Sequence, residues 1–458
     1  MIKIKNKDRL IENGETNQTR KARTIALQTL EHALDAVDPT KLLKSKVSFK
    51  DGKLYASTHS FDLRKFRNVY VLGGGKAGGA MASALEEALG NRVTAGFINV
   101  PHGDKHKTNI IKLHEAAHPI PDEAGITGTR QMLALAEEAC HDDLVIMLIS
   151  GGGSSLMPLP REGISLLDKR ELTAKLLKSG AKISEINAVR KHLSGFKGGW
   201  LAKKAYPASI LNLVLSDVVG DSLESIASGP TVPDSTTFAD AQTVLQKYGL
   251  WKNASASVRG LISSGEKGLS AETPKLGDLA FKKVSSVILG NSRSVALAAI
   301  VYLRSVGLNP LLLTSTLEGE ASTVGTVLSS IANEIVTSGS PMPKPAALVV
   351  SGETVVDVKG QGIGGRNQEL ALSAALKLQG VEGVVIASLS TDGIDGPTNA
   401  AGAIVDGKTV ERSMRLGLNL EDYLSENDSY GFFSKLGDLI VTGPTGTNVN
   451  DISVLVIL

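Results

Sequence analysis

Short apolar runs alternate along this chain with longer stretches in which apolar residues recur every three or four positions. The second kind of pattern opens the chain: Ile25, Leu27, Leu30, Leu34 and Val37 predict an amphipathic helix over 18–37. Strand-like runs then follow at 69–72, 93–100, 144–149 and 210–215, separated by helical periodicity over 76–89, 122–139 and 186–205. Strands spaced by helices of this length predict parallel pairing through right-handed crossovers. Over 251–283 the period is lost in a mixture of glycine, proline and charge, the texture of a connection. Alternation resumes with strands at 284–289 and 311–314 and helices over 292–306 and 321–337. Further strand candidates are 349–351, 384–390, 439–442 and 452–457. The pattern predicts two α/β domains, 1–250 and 284–458, joined by the 251–283 segment, with the active site expected in the cleft between them.

At 458 residues the chain exceeds one ordinary core, which agrees with two domains. Only 4% of residues are aromatic while 48 are glycine, a balance suited to many tight strand-to-helix turns. A net charge of +2 with scattered basic residues gives no footprint for nucleic acid. No apolar run reaches the roughly 20 residues of a membrane span, and the first residues lack a signal peptide's apolar segment. The single cysteine, Cys140, excludes an intrachain disulfide and reads as a small buried helix residue. These features predict a cytoplasmic protein that works on small molecules; a monomer or homodimer is expected, with nothing in the composition choosing between them.

In open parallel sheets, function sits at the carboxyl ends of strands. After the first such strand comes Gly73-Gly74-Gly75-Lys76-Ala77-Gly78, a G-x-G-x-x-G pattern with a lysine inside it. The second strand ends in Asn99-Val100-Pro101-His102, without the acidic residue that holds a nicotinamide dinucleotide's ribose. A lysine in the loop suits a transferring phosphoryl group better. The run LVIMLISGGGSSLMPLP places Ser150, Gly151, Gly152, Gly153, Ser154 and Ser155 after a buried strand. Successive glycines turn backbone N–H groups inward as an anion nest, and a following helix would add its dipole. A serine-capped helix start is the structural alternative. Asp217 follows the next strand, where a metal ligand or general base would stand, or equally a helix cap. Asn187, Arg190 and Lys191 share one helical face, read either as solvated or as facing a phosphate. In the second half Asn291 and Ser292 follow a strand, and Arg366 follows a glycine-rich loop where its fork can meet a carboxylate or phosphate. Asp392 and Asp395 share one turn, which suits a hard cation such as Mg²⁺ or a pair of Asx turns.

Ten segments in order resemble the motifs of class II glycerate 2-kinases: LGGGKAGGAMA, HPIPDEAG, LISGGGSSLMPLP, INAVRKHLSGFKGG, LSDVVGD, ASGPTVPD, SGET, GGRNQELAL, STDGIDGPT and TGPTGTNVND. The C-terminal part looks like the MOFRL module of that group, and the resemblance runs from about residue 22 to the end. It implies a Rossmann-like N-terminal domain and a MOFRL-type C-terminal domain, acting on D-glycerate with ATP and Mg²⁺ to give 2-phosphoglycerate. On this expectation Lys76, Asp217 and Arg366 are catalytic, and Gly75, Ser150–Ser155, Asn291 and Ser292 hold phosphates. Arg190 and Arg366 meet the substrate, and Asp392 and Asp395 the metal. Competing readings are an NAD(P)H-dependent hydroxypyruvate reductase and a non-catalytic nucleotide-binding regulator.

Overall fold

The computed structural model describes residues 2–458, which form two compact units: Pro39–Leu289, and residues 2–38 together with Gly290–Leu458.

The Pro39–Leu289 unit is built on a six-stranded sheet. Its spatial order is Ile111–Ala116, Ala95–Pro101, Asn68–Gly74, Asp143–Ile149, Ser209–Leu215 and Val284–Gly290. The first five strands pair in parallel. Numbered along the chain, this is the order 3-2-1-4-5-6 of a doubly wound sheet, so the Rossmann-like expectation holds. Central strand Asp143–Ile149 is buried at every position, because crossover helices cover both faces and leave no room for alternation. The strand order reverses between Asn68–Gly74 and Asp143–Ile149. The crevice expected of such a fold therefore opens between the loops that begin at Gly75 and Ser150. A small antiparallel sheet over 47–62, which the sequence pattern did not reveal, precedes the first parallel strand.

The other unit carries a six-stranded mixed sheet in the order Asn309–Leu317, Ala346–Gly352, Asp451–Ile457, Val384–Ser390, Gly402–Asp406 and Leu439–Ile440. The chain's last strand lies in the middle, antiparallel to both neighbours and fully buried. Parallel pairing is confined to Asn309–Leu317 with Ala346–Gly352.

The expected domain limits need correction in three places. Helix Asn17–Ala36 belongs with the second sheet, because fully buried Arg23 forks onto Asp438 (2.9 and 3.0 Å) and donates to Asp406 at 2.7 Å. Such a cation is held by its two carboxylates, and the helix goes where they are. The 251–283 stretch is part of the first unit. Its helix Ala256–Glu266 buries Val258 and Ile262 in one apolar cluster with Phe238. Strand Val284–Gly290 completes the first sheet and does not open the second. Cys140 is also corrected: it is exposed, just past helix Glu123–Glu138.

Candidate active site

Parallel register brings the two central loops together. Gly74 is level with Ile149, so Gly75 and Ser150 leave adjacent strand ends side by side. Lys76 N–H donates to Gly151 O at 2.8 Å, and Ala77 N–H donates to Ser150 Oγ at 3.0 Å. Glycine at position 75 is a steric requirement: its φ is +149°, and a Cβ there would lie 2.1 Å from Ser150 Oγ. Gly152 has φ +80°, and a Cβ there would stand 2.8 Å from the His118 ring and 3.4 Å from Lys76 Cγ. The glycines thus bring backbone, His118 and Lys76 into one crevice. Ser209–Leu215 is the next strand of the sheet and pairs in parallel with Asp143–Ile149, so Asp217 follows the same edge.

The three hydroxyls of the cradle differ. Ser150 is buried, and its oxygen accepts the Ala77 N–H, a structural role. Ser154 and Ser155 line a pocket of about 560 Å³. Ser154 Oγ is 3.0 Å from Ser228 Oγ, which in turn donates to Asn187 Oδ1 at 3.2 Å. The helix expected after the glycines is a single turn, Gly153–Leu156, too short to contribute a useful dipole.

The pocket also gathers cations. Arg190 lines it, and among the described residues it makes no hydrogen bond or ion pair. Burial pulls its guanidinium below the ordinary value. Lys169 and Lys197, which sequence reasoning passed over, line the same pocket and are almost wholly buried. Lys169 Nζ donates to Pro158 O at 3.0 Å and Lys197 Nζ to Ser154 O at 2.7 Å, so both lysines rest on carbonyls and neither meets a carboxylate. Burial first, then Arg190, lowers Lys169 to about 7. Burial, then Lys169 and Arg190, takes Lys197 well below the ordinary lysine range. The helix Leu166–Lys178 did carry a signal. Lys169 occupies the buried register with Leu166, Leu172 and Leu176, where a lysine needs a reason. Lys191, one residue after Arg190, turns away from the pocket to pair with Glu224 (2.6 Å) and Asp234 (3.1 Å).

The remaining expected residues lie in the other unit. Asn291 caps helix Ser292–Ser305 by accepting from Ser294 N–H, and buried Ser292 donates to Asn450 Oδ1 at 3.3 Å. A buried hydroxyl held this way does not suit the expected phosphate contact. The fork of Arg366 is committed: Nε and Nη2 donate to Asp451 at 2.6 and 2.9 Å, and Nη1 to Glu353 at 2.6 Å. The two-pronged face expected to meet a substrate carboxylate already holds a protein one. Asp395 is fully buried. Its oxygens accept the N–H groups of Asn367 and Gln368, at 3.1 and 2.9 Å, and both of their side-chain amides. It caps helix Arg366–Leu378, which removes it from the expected metal pair. Burial, then Asp451, raises its carboxyl to about 6. Asp392 is half-buried and accepts from Ser390 Oγ and Ile394 N–H through one oxygen.

A doubly wound sheet whose switch point is lined by glycine loops, a lysine and unpaired buried cations defines an enzyme that handles phosphorylated ligands. Two family matches agree with that class. The one described as "Domain of unknown function (DUF4147)" spans residues 25–263, and the MOFRL family spans 346–451. The D-glycerate 2-kinase of Thermotoga maritima is 44% identical over 429 residues, covering 93% of this chain and 96% of that protein. A crystal structure of glycerate kinase from Thermotoga maritima superposes with a TM-score of 0.83 at 43% identity, covering 94% of this chain and 98% of that one. A putative hydroxypyruvate reductase of Agrobacterium vitis is 41% identical, covering 91% and 93%. The chain belongs to the MOFRL-type glycerate 2-kinase family.

Proposed function

We propose that this enzyme transfers the γ-phosphoryl group of ATP to the 2-hydroxyl of D-glycerate, giving ADP and 2-phosphoglycerate. The observation that carries the reading is the meeting of the Gly75-Lys76 and Ser150–Ser155 loops at the switch point of the sheet. In the transfer, the 2-hydroxyl oxygen forms a bond to the γ-phosphorus, the bond from phosphorus to the β–γ bridging oxygen breaks, and ADP departs with that electron pair. Lys76 neutralises charge gathering on the migrating group. Asp217 accepts the hydroxyl proton. Arg366 acts as a positioning residue that fixes Asp451 and Glu353.

Mg²⁺ belongs to the same proposal. Among the described residues there is no cluster of three His, Cys, Asp or Glu side chains able to hold an ion. A single half-buried carboxylate suits Mg²⁺, which takes one or two carboxylates and completes its shell with water and phosphate. Asp392 is the carboxylate we assign to it, and the ion when bound offsets phosphate charge. No helix among the described residues is long and apolar enough to cross a membrane, and a cytoplasmic location is part of the proposal.

The reductase alternative gains nothing from the second strand end. Asn99 is buried there, and its amide donates to Leu156 O at 2.6 Å and Gly125 O at 3.1 Å. One assay decides between the readings: ATP with D-glycerate beside NADH with hydroxypyruvate. ADP should form only with glycerate and Mg²⁺, and phosphorus NMR should show 2-phosphoglycerate. The 3-isomer alone refutes the regiochemistry, and NADH oxidation without ADP formation refutes the kinase. Lys76→Met should lower kcat with ATP affinity nearly kept, and Asp217→Asn should lower kcat by about 10²–10⁴.

A further inference from the structure

The lining of the pocket beside Ser154 and Ser155 has two characters. Lys169, Arg190 and Lys197 line it with no carboxylate paired to any of them among the described residues, although Glu171 also borders the cavity. Ile120, Leu167 and Leu177 line it too while remaining 59%, 61% and 56% exposed. Large apolar side chains left in solvent around a cavity mark a surface that a ligand covers.

We propose that this pocket is the seat of the nucleotide, with the polyphosphate on Lys169, Arg190 and Lys197 and the base lying on Ile120, Leu167 and Leu177. The assignment rests on the kinase reading and deepens it. It also moves Arg190 from the glycerate, where the sequence places it, to the nucleotide.

Three observations carry it. The first is charge: buried cations that repel one another call for a ligand with several negative charges, which a polyphosphate has and a monocarboxylate lacks. Burial and mutual repulsion push both lysines down, which is the electrostatic sign of an anion site without its anion. The second is size. A cavity of about 560 Å³ lies within the range that accommodates cofactor-sized ligands, which a three-carbon acid would leave mostly empty. The third is continuity. His118 and Gly152 line the pocket, and the position of a Gly152 Cβ lies within 3.4 Å of Lys76 Cγ. A chain of phosphates starting at the three cations therefore runs toward Lys76, where transfer is proposed.

Calorimetric titration of the full chain with MgATP, and separately with inorganic tripolyphosphate, tests the assignment. Tripolyphosphate should bind and compete with ATP. Arg190→Met strips no partner of a hydrogen bond, so the fold should hold, and it should weaken both ligands by about tenfold or more. Arg190→Lys should recover part of that loss. Leu167→Asn, at an exposed position, should weaken ATP several-fold and leave tripolyphosphate binding unchanged. In steady state the effects should fall on KM for ATP and not on KM for D-glycerate. Failure of tripolyphosphate to compete overturns the proposal, as does an Arg190→Met defect confined to KM for glycerate. If both ligands behave as stated but no glycerate-dependent ADP appears, the seat stands and the kinase reading falls.

Discussion

Arg366 offers the sharpest test, because its two possible roles differ in what they do to stability. In one role its fork waits for substrate; in the other it holds the second unit together. The geometry favours the latter, with two parallel bonds to Asp451 and a third to Glu353. The Glu353 side chain is 40% exposed, so that pair is screened and contributes little. The Asp451 side chain is only 9% exposed and stands at the start of the central strand. Arg366→Met would leave this carboxylate buried and unpaired, a cost of about 3–5 kcal/mol. Arg366→Lys keeps the charge but loses one of the parallel bonds, about 1.5–3 kcal/mol. Asp451 also fixes a pH dependence. Burial raises its carboxyl above the ordinary value, with Arg366 opposing that rise. A carboxyl raised in the folded state favours folding below its unfolded pKa and loses that contribution as pH rises through the folded pKa. Removing Arg366 raises it further, so the deficit of Arg366→Met should be larger at pH 8 than at pH 5. Hydrogen exchange along Asp451–Ile457 and Arg366–Leu378 reads local stability without requiring the two units to unfold together. Adding Asp451→Asn should restore most of the loss. A single Arg366→Met variant that keeps wild-type exchange while its KM for D-glycerate rises refutes the reasoning and returns the fork to the substrate.

Three further outcomes follow from the geometry. Asp395→Ala orphans two backbone N–H groups at a buried helix start, so stability should fall by about 2–4 kcal/mol while the Mg²⁺ concentration for half-maximal rate stays put; a shifted Mg²⁺ requirement at unchanged stability makes Asp395 a ligand. Gly75→Ala drives a methyl into Ser150 and should displace the Ser150 loop, lowering kcat/KM by about 10²-fold, and wild-type kinetics would show that the loop is not part of the site. Lys169, at about 7 and repelled by Arg190, is mostly neutral at pH 8 and mostly charged at pH 6, so a polyphosphate that raises its pKa should draw a proton onto it at pH 8 but hardly at pH 6. Calorimetry in buffers of different ionisation enthalpy measures the uptake, and Lys169→Met should lower it at pH 8 much more than at pH 6.

Much of the fold could be read from periodicity, since buried parallel strands are unbroken apolar runs. Val384–Ser390 was placed to the residue, and Asp143–Ile149 and Ser209–Leu215 to within one. Pairing direction in the second sheet was not legible. A strand buried on both faces looks the same in sequence whether its neighbours run parallel or antiparallel. The unit to which helix Asn17–Ala36 belongs was hidden too, because it depends on Arg23 meeting Asp406 and Asp438, hundreds of residues away. The placement of glycine loops at strand ends was legible, and the Gly75 and Ser150 loops do leave adjacent strands side by side. Carboxylates were harder to place: Asp392 and Asp395 look equivalent on one turn, and only the burial of Asp395 beneath helix Arg366–Leu378 separates a cap from a candidate ligand.

Arg190 and Lys191 show how this fold treats buried positive charge. Lys191 is 3% exposed and takes two carboxylates, Glu224 and Asp234, the usual answer when a cation serves only the structure. Its neighbour on the helix takes none, and neither do Lys169 and Lys197 on the elements that face the same cavity. Each desolvated cation left this way costs stability, so the pattern calls for a function that offsets it. Carboxylates paired to these cations would quiet the charge and at the same time repel a phosphate; Glu171 borders the cavity but pairs with none of the three. Carbonyl oxygens at Pro158 and Ser154 hold the two amino groups in place without supplying a counter-charge, so an incoming anion that draws protons onto them competes with no carboxylate paired to them. The glycines of the adjoining loops act to the same end, since they bring N–H groups and Lys76 to the crevice without adding a side chain that could compete for the ligand. Affinity at this site is therefore set by what the fold leaves out as much as by what it supplies, and a carboxylate introduced beside Arg190 would weaken nucleotide binding even as it stabilised the protein.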